Sequence, residues 1–413
     1  MATRQPVGTV RSRLGVIGRL FGSTVLAQAA ALVATTIAAA RAEPADFARY
    51  AAVLAVMAVL ASVNSVAVET RVPVTTGSAR IAMMRVGSTT VAASSGLVLA
   101  GSVVLLGSNR EVAVNGIFLA AGAAVISVVS LLIALAIRAH RQELLATNRA
   151  VQGVSNAVLI STLIWTPLPG YAVLLGSFVV STMLGGLAMA RGLPHSWAYL
   201  RPARRADWPV TFKQVRLQPL TNLFANLGTA LPPILLPLLG TVDIAGLWAL
   251  ASRFLNAVVS MVQSTVSPMY IGDVAGAVRG QDGPRVASVH NTWLRRLMLL
   301  SVPMVAGTIV GINFIIPLLG EQWADAGRIT LPACLSFTAL LVWLPTSQCL
   351  VLLGRTTTEF WWTVGYVVCT IAPLLAMGTI GTLTGLTIWA ITQVLVILTH
   401  IWLQRRAIIA RSR

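Results

Sequence analysis

The sequence predicts an all-α integral membrane protein with about 12 transmembrane helices in two six-helix bundles. Of its 413 residues, 56% are hydrophobic and only 10% charged, and the mean hydropathy is +0.81, far outside the balance of soluble domains. Apolar runs of the ~20 residues that cross a ~30 Å hydrocarbon core follow one another with short polar breaks. The runs are continuous rather than alternating, so their backbones must be satisfied within helices and not by closing a barrel.

The expected spans are 17–40, 47–69, 86–107, 112–137, 149–167, 170–190, 216–240, 243–270, 293–319, 327–352, 358–378 and 381–403. An even number places both termini on one side. Taking that side as cytoplasmic, Arg41, Arg49, Arg110 and Arg328 fall outside, Arg253 falls within a span, and the other 25 of the 30 Lys and Arg residues fall in cytoplasmic segments. This is the positive-inside rule, so the net charge of +18 expresses topology in a plasma (inner) membrane and no nucleic-acid partner is expected. The cytoplasmic loops could also meet anionic lipid or a protein partner.

The longest polar break, "RGLPHSWAYLRPARRADWPVTFKQVR", separates an N-terminal bundle, 1–190, from a C-terminal bundle, 217–413, through a cytoplasmic linker at 191–216. "DFARYAAVLAVMAVLASV" (46–63) and "IAGLWALASRFLNAVVSM" (244–261) match in phase, as two related halves would. "AARA" at 39–42 mimics a signal-peptidase site, but the preceding apolar run is longer than a typical signal core, so it reads as a span. Cys334, Cys349 and Cys369 fall inside spans without ligand-like spacing and read as packing residues.

No constellation of catalytic residues stands out. Gly-rich phosphate loops and His clusters at metal-ligand spacing are missing, and no Asp or Glu falls at mid-span. "EPAD" (43–46) and "EQWAD" (321–325) read as helix-starting turns. The expectation is a non-enzyme without cofactor or metal.

What the spans do carry is amides, hydroxyls and one guanidinium. Arg253, Asn256, Gln263, Asn222, Asn226, Gln28 and Asn64 are candidate cavity residues, because polar groups are costly against lipid and turn inward. Each amide could equally be interhelical glue, and Arg253 could snorkel to the surface. In Arg253, Asn256, Ser260, Gln263 and Ser264 the spacing of three and four makes one helical stripe; Asn222 and Asn226 share another face. Pro219, Pro232, Pro233 and Pro237 in one span predict a bent or broken helix, either a packing kink or a hinge.

"FGSTVLAQAAALVATTIAAARAEPADFARYA" (21–51) resembles the opening of the O-antigen (Wzx-type) flippases, polysaccharide exporters of the multidrug/oligosaccharidyl-lipid/polysaccharide (MOP) superfamily. "LPLLGTVDIAGLWALASRFLNAVVSMVQSTVSPMYI" (236–271) is similar to their Leu-Gly turn, Gly-aromatic-Ala start, arginine and closing proline. "GEQWADAG" (320–327) and "LLGR" (352–355) resemble two further segments. Many relatives carry a polar pair where this chain has Leu231, Pro232 and Pro233, so a polar contact at that point is not carried over. The resemblance implies two pseudo-symmetric six-helix bundles and a cavity opening alternately to either side. The implied function is flipping a lipid-linked oligosaccharide or glycolipid precursor to the outer leaflet, with membrane lipids and envelope glycosyltransferases or polymerases as possible partners. The alternatives are a multidrug/cation antiporter of the same superfamily and a non-transporting scaffold for envelope assembly. The antiporter usually needs buried carboxylates.

Overall fold

The computed structural model describes residues 10–72, 75, 77–139, 141–193 and 201–412. Helices account for its regular structure, and no strand occurs among these residues. The helices are α1 (Val10–Ala39), α2 (Pro44–Asn64), α3 (Gly77–Val104), α4 (Arg110–Arg138), α5 (Gln142–Leu163), α6 (Gly170–Arg191), α7 (Asp207–Val215) and α8 (Gln218–Leu239). They continue with α9 (Val242–Arg279), α10 (Gly283–Val310), α11 (Thr330–Trp343), α12 (Cys349–Leu352), α13 (Thr356–Leu375), α14 (Met377–Ile380) and α15 (Thr382–Ser412). A 3₁₀ segment, Glu321–Ile329, leads into α11.

Among the described residues, 10 helical segments are long and apolar enough to cross a membrane. The expected spans absent from that set are α1 and α5. α1 contributes the shorter apolar stretch Val25–Ala39, and α5 is more polar, carrying Glu143, Asn148, Arg149, Gln152 and Asn156. The two pack along each other's length. An added Cβ at Gly153 of α5 would lie 2.5 Å from the Cα of Ala27 on α1, and only glycine permits that approach.

α1 packs on α5, α5 on α6, α3 on α4, and α2 on α4 and α6. Later in the chain, α8 packs on α13, α11 and α13 on α15, and α10 on α9 and α11. Contacts of α2 with α8 and α9, and of α1 with α9, join these sets. The helices carrying the internal sequence match, α2 and α9, therefore face each other.

α8 runs unbroken through Pro232, Pro233 and Pro237, whereas a broken helix was one expectation. Pro219 stands in its first turn, where the missing amide has no intrahelical acceptor to lose.

Candidate functional site

A cavity of ≈ 460 Å³ lies where α1, α2, α8, α9, α11 and α15 converge. Tyr50 and Trp248, equivalent positions of the matched segments, both line it. Gln28 enters from α1, Asn226 from α8, and Ser252, Arg253, Asn256 and Ser260 from α9. Ser336 of α11, with Trp389 and Gln393 of α15, extends the polar lining. Thr35 and Thr229 add two hydroxyls, the remaining walls are apolar, and no Asp or Glu occurs among the described lining residues.

Arg253 is held by the aromatic face opposite. Its Cζ lies 5.0 Å from the Tyr50 ring centroid, a cation–π contact. Its Nη1 is buried without a hydrogen-bond partner. Ser252 Oγ, Ser336 Oγ, Trp389 Nε1 and Gln393 Oε1 are likewise buried and unpartnered. Buried polar atoms are normally satisfied, so their clustering around one cavity marks a place that accepts a polar ligand or water. The other Gln393 amide atom, Nε2, donates to the Tyr366 hydroxyl at 2.9 Å, which fixes Oε1 toward the open space.

Four of the sequence candidates, Arg253, Asn256, Asn226 and Gln28, thus share the cavity. Gln28 Nε2 donates to Ser260 Oγ at 3.1 Å, tying α1 to α9. Asn226 donates to the Asn222 carbonyl at 2.9 Å, and Gln218 donates to the Asn222 side chain at 3.0 Å. Asn222 does not line the cavity; its amide is used within α8. Asn64 is buried at the end of α2, outside the cavity, and of the four candidate hinge prolines Pro233 is on its wall.

Gln263 lines a second, adjoining cavity of ≈ 610 Å³ between α1, α5, α6 and α9, where Gln28 and Ser260 meet Arg149, Gln152 and Asn156. The polarity that removes α5 from the apolar helices therefore faces this space. The side chain of Ser264 lies outside the described residues.

One end of the cavity is shut. Trp323, fully buried, donates from Nε1 to the Ala39 carbonyl at 2.9 Å and meets the edge of Phe47 at 5.5 Å between centroids. An added Cβ at Gly246 of α9 would overlap the carbonyl of Pro44, so α9 and α2 touch backbone to backbone here. Trp248 packs edge-on against Trp389 at 5.6 Å beneath this closure.

One carboxylate at the end of a span is nevertheless buried. Glu359, in the first turn of α13, is only 7% exposed, and His400 Nε2 donates to its Oε2 at 2.8 Å. Helix starts usually reach solvent, and the partner is 41 residues away in sequence, so the chain alone gives no sign of the pair. Tyr50, Ser252, Ser336 and Trp389 were also missed, since such residues are ordinary in membrane helices.

No protein-family model matches the chain, and no curated protein matches it. Solved structures share its fold. An inward-facing multidrug resistance MATE family transporter of the MOP superfamily aligns with a TM-score of 0.63 and 13% identity, over 93% of this chain and 95% of that one. The lipid II flippase MurJ, in an inward closed conformation, aligns with a TM-score of 0.66 and 13% identity, over 95% and 90%. A MOP superfamily transporter from Pyrococcus furiosus, described as having a binding pocket of reversed polarity, aligns with a TM-score of 0.57 and 12% identity, over 96% and 96%. The chain is a multi-pass membrane protein with the fold of MOP-superfamily transporters.

Proposed function

We propose that this protein flips a lipid-linked oligosaccharide or glycolipid precursor from the cytoplasmic to the outer leaflet of the plasma membrane, by alternating access of the Arg253 cavity. The observation that carries the reading is the unpartnered, buried Nη1 of Arg253 in a cavity whose polar lining, among the described residues, is amides and hydroxyls without an acid. A polyprenyl (pyro)phosphate is anionic and its sugars are rich in hydroxyls. Guanidinium matches the first through charge-assisted, forked hydrogen bonds, and amides match the second. A cationic drug would find no counter-charge in this lining, which favours a glycolipid over the antiporter reading.

In this proposal residues 1–190 and 217–413 form the two halves, and 191–216 is a cytoplasmic linker. The end closed by Trp323 then faces outward, and the structure is an inward state. Reporter fusions after Arg205 and Arg411 should both report cytoplasm; an outside signal from the linker contradicts this orientation. Depleting the protein should make a lipid-linked glycan accumulate on the cytoplasmic face of the membrane. Unchanged lipid-linked pools on depletion, with envelope glycans intact, would refute the flippase reading.

A further inference from the structure

The buried Glu359–His400 pair lies outside the cavity, and the bonds around it restrict its protonation. His400 is fully buried on α15, between Trp343 at the end of α11 and Glu359 on α13. Trp343 Nε1 donates to His400 Nδ1 at 2.8 Å. An indole N–H can only donate, so Nδ1 must be the lone-pair nitrogen. Nε2 therefore carries the proton and donates it to Glu359 Oε2 at 2.8 Å. Gln404 Nε2 is 3.2 Å from the same Nδ1 and donates at 2.9 Å to the Thr346 carbonyl, just beyond α11. The imidazole is thus neutral in this conformation. Protonating Nδ1 would set two N–H donors against each other.

We infer that His400 is a proton-binding site whose occupancy is coupled to the position of α11, so that proton uptake favours release of Trp343 and of the closed end of the cavity.

A proton on Nδ1 removes the acceptor that Trp343 uses, and Gln404 Oε1, buried without a partner, becomes available to receive the new N–H once the amide turns. Trp343 must then move away. The helix that carries it, about 21 Å long by its 14 residues, follows directly from the Glu321–Ile329 segment. That segment holds Trp323, whose indole closes the far end of the cavity on the Ala39 carbonyl. α11 therefore has one tryptophan bond near each end. By linkage, a conformation that disfavours the imidazolium is itself disfavoured by acid.

Charged and titratable groups from several helices pack around the pair. Glu359 is the acid hydrogen-bonded to the imidazole, at 2.8 Å. His290 of α10, Arg405 of α15, Tyr270 of α9 and Cys349 of α12 lie near the pair, and Tyr270 is hydrogen-bonded to His290 at 2.8 Å. From α13, Trp362 lies over His400 with ring centroids 4.0 Å apart, and Tyr366 stacks on Trp362. A proton landing on Glu359 instead would leave both bonds to the imidazole intact, so the site that reports to α11 is Nδ1.

The test needs no cargo, so its failure is separable from failure of the flippase reading. Spin labels on Glu43→Cys and Asp325→Cys, both exposed and on opposite sides of the closure, report its opening in lipid nanodiscs. Cys334 and Cys369 are replaced by Ser, and buried Cys349 is kept. As pH falls from about 8 to 5, a longer distance should gain population. Trp343→Phe, which removes the opposing donor, should let the opening occur at higher pH. Glu359→Gln should require lower pH, and His400→Gln should abolish the response. A distance distribution independent of pH in the parent protein, or an unchanged response in His400→Gln, overturns the inference.

Discussion

Arg253→Ala is expected to abolish most transport while leaving the protein in the membrane at its normal amount. The guanidinium's Nη1 has no protein partner, so removing it breaks no internal hydrogen bond at that atom. Its contact with Tyr50, at 5.0 Å, contributes on the order of 1 kcal/mol to stability. A cargo phosphate is a different matter. Deleting one side of a buried, hydrogen-bonded charge pair costs about 2–5 kcal/mol, so affinity should fall on the order of 30-fold or more. Arg253→Lys keeps the charge and loses the fork, and should retain part of the activity. The measurement is complementation of a depletion strain, with the lipid-linked intermediate quantified beside immunoblotted protein. Normal transport by Arg253→Ala at wild-type abundance would show that the arginine plays no part in recognising cargo.

Gly246→Val should be nearly as damaging, for a steric reason. The position lies in the first turns of α9 against the first residue of α2, where an added Cβ would lie 2.5 Å from the Cβ of Pro44 and closer still to its carbonyl oxygen. Both obstacles belong to a helix start packed in the core, so α9 itself must move and the Trp323 closure beside it should fail. A transporter that cannot shut one end cannot alternate, and turnover should fall by more than tenfold at normal protein level. Gly272→Ala is the control on the same helix, since an added methyl there meets nothing within 4 Å. Spin-label distances across the closure should lengthen in Gly246→Val and stay unchanged in Gly272→Ala. A parent-like distance in Gly246→Val would show that the two helices do not need this approach.

Both predictions involve features of which sequence reading found one part and missed another. Arg253, Asn256, Asn226 and Gln28 stood out because a polar group in an apolar run must turn from lipid, and they share the cavity. The same reasoning selected Asn222 and Asn64, which the structure places away from it, because an amide can also be used within its own helix or buried at a helix end. Tyr50 could not be seen as the partner of Arg253, since what joins them is the packing of α2 on α9, not spacing along either helix. Hydropathy found the helices in outline. It leaves α5 outside the ten segments apolar enough to cross a membrane, and one face of that helix borders a polar cavity instead of lipid. The Glu359–His400 pair escaped entirely, because burial at a helix start depends on which neighbours cover it.

The central claim, that the Arg253 cavity recognises the anionic head of a lipid-linked glycan, is tested most directly by binding to purified protein in nanodiscs. A polyprenyl pyrophosphate-linked oligosaccharide should bind the parent protein saturably. Unlabelled polyprenyl pyrophosphate should displace it, a lipophilic cation should not, and affinity should drop by at least the order of 30-fold in Arg253→Ala. Equal binding by Arg253→Ala, or displacement by the cation and not by the pyrophosphate, would contradict the account.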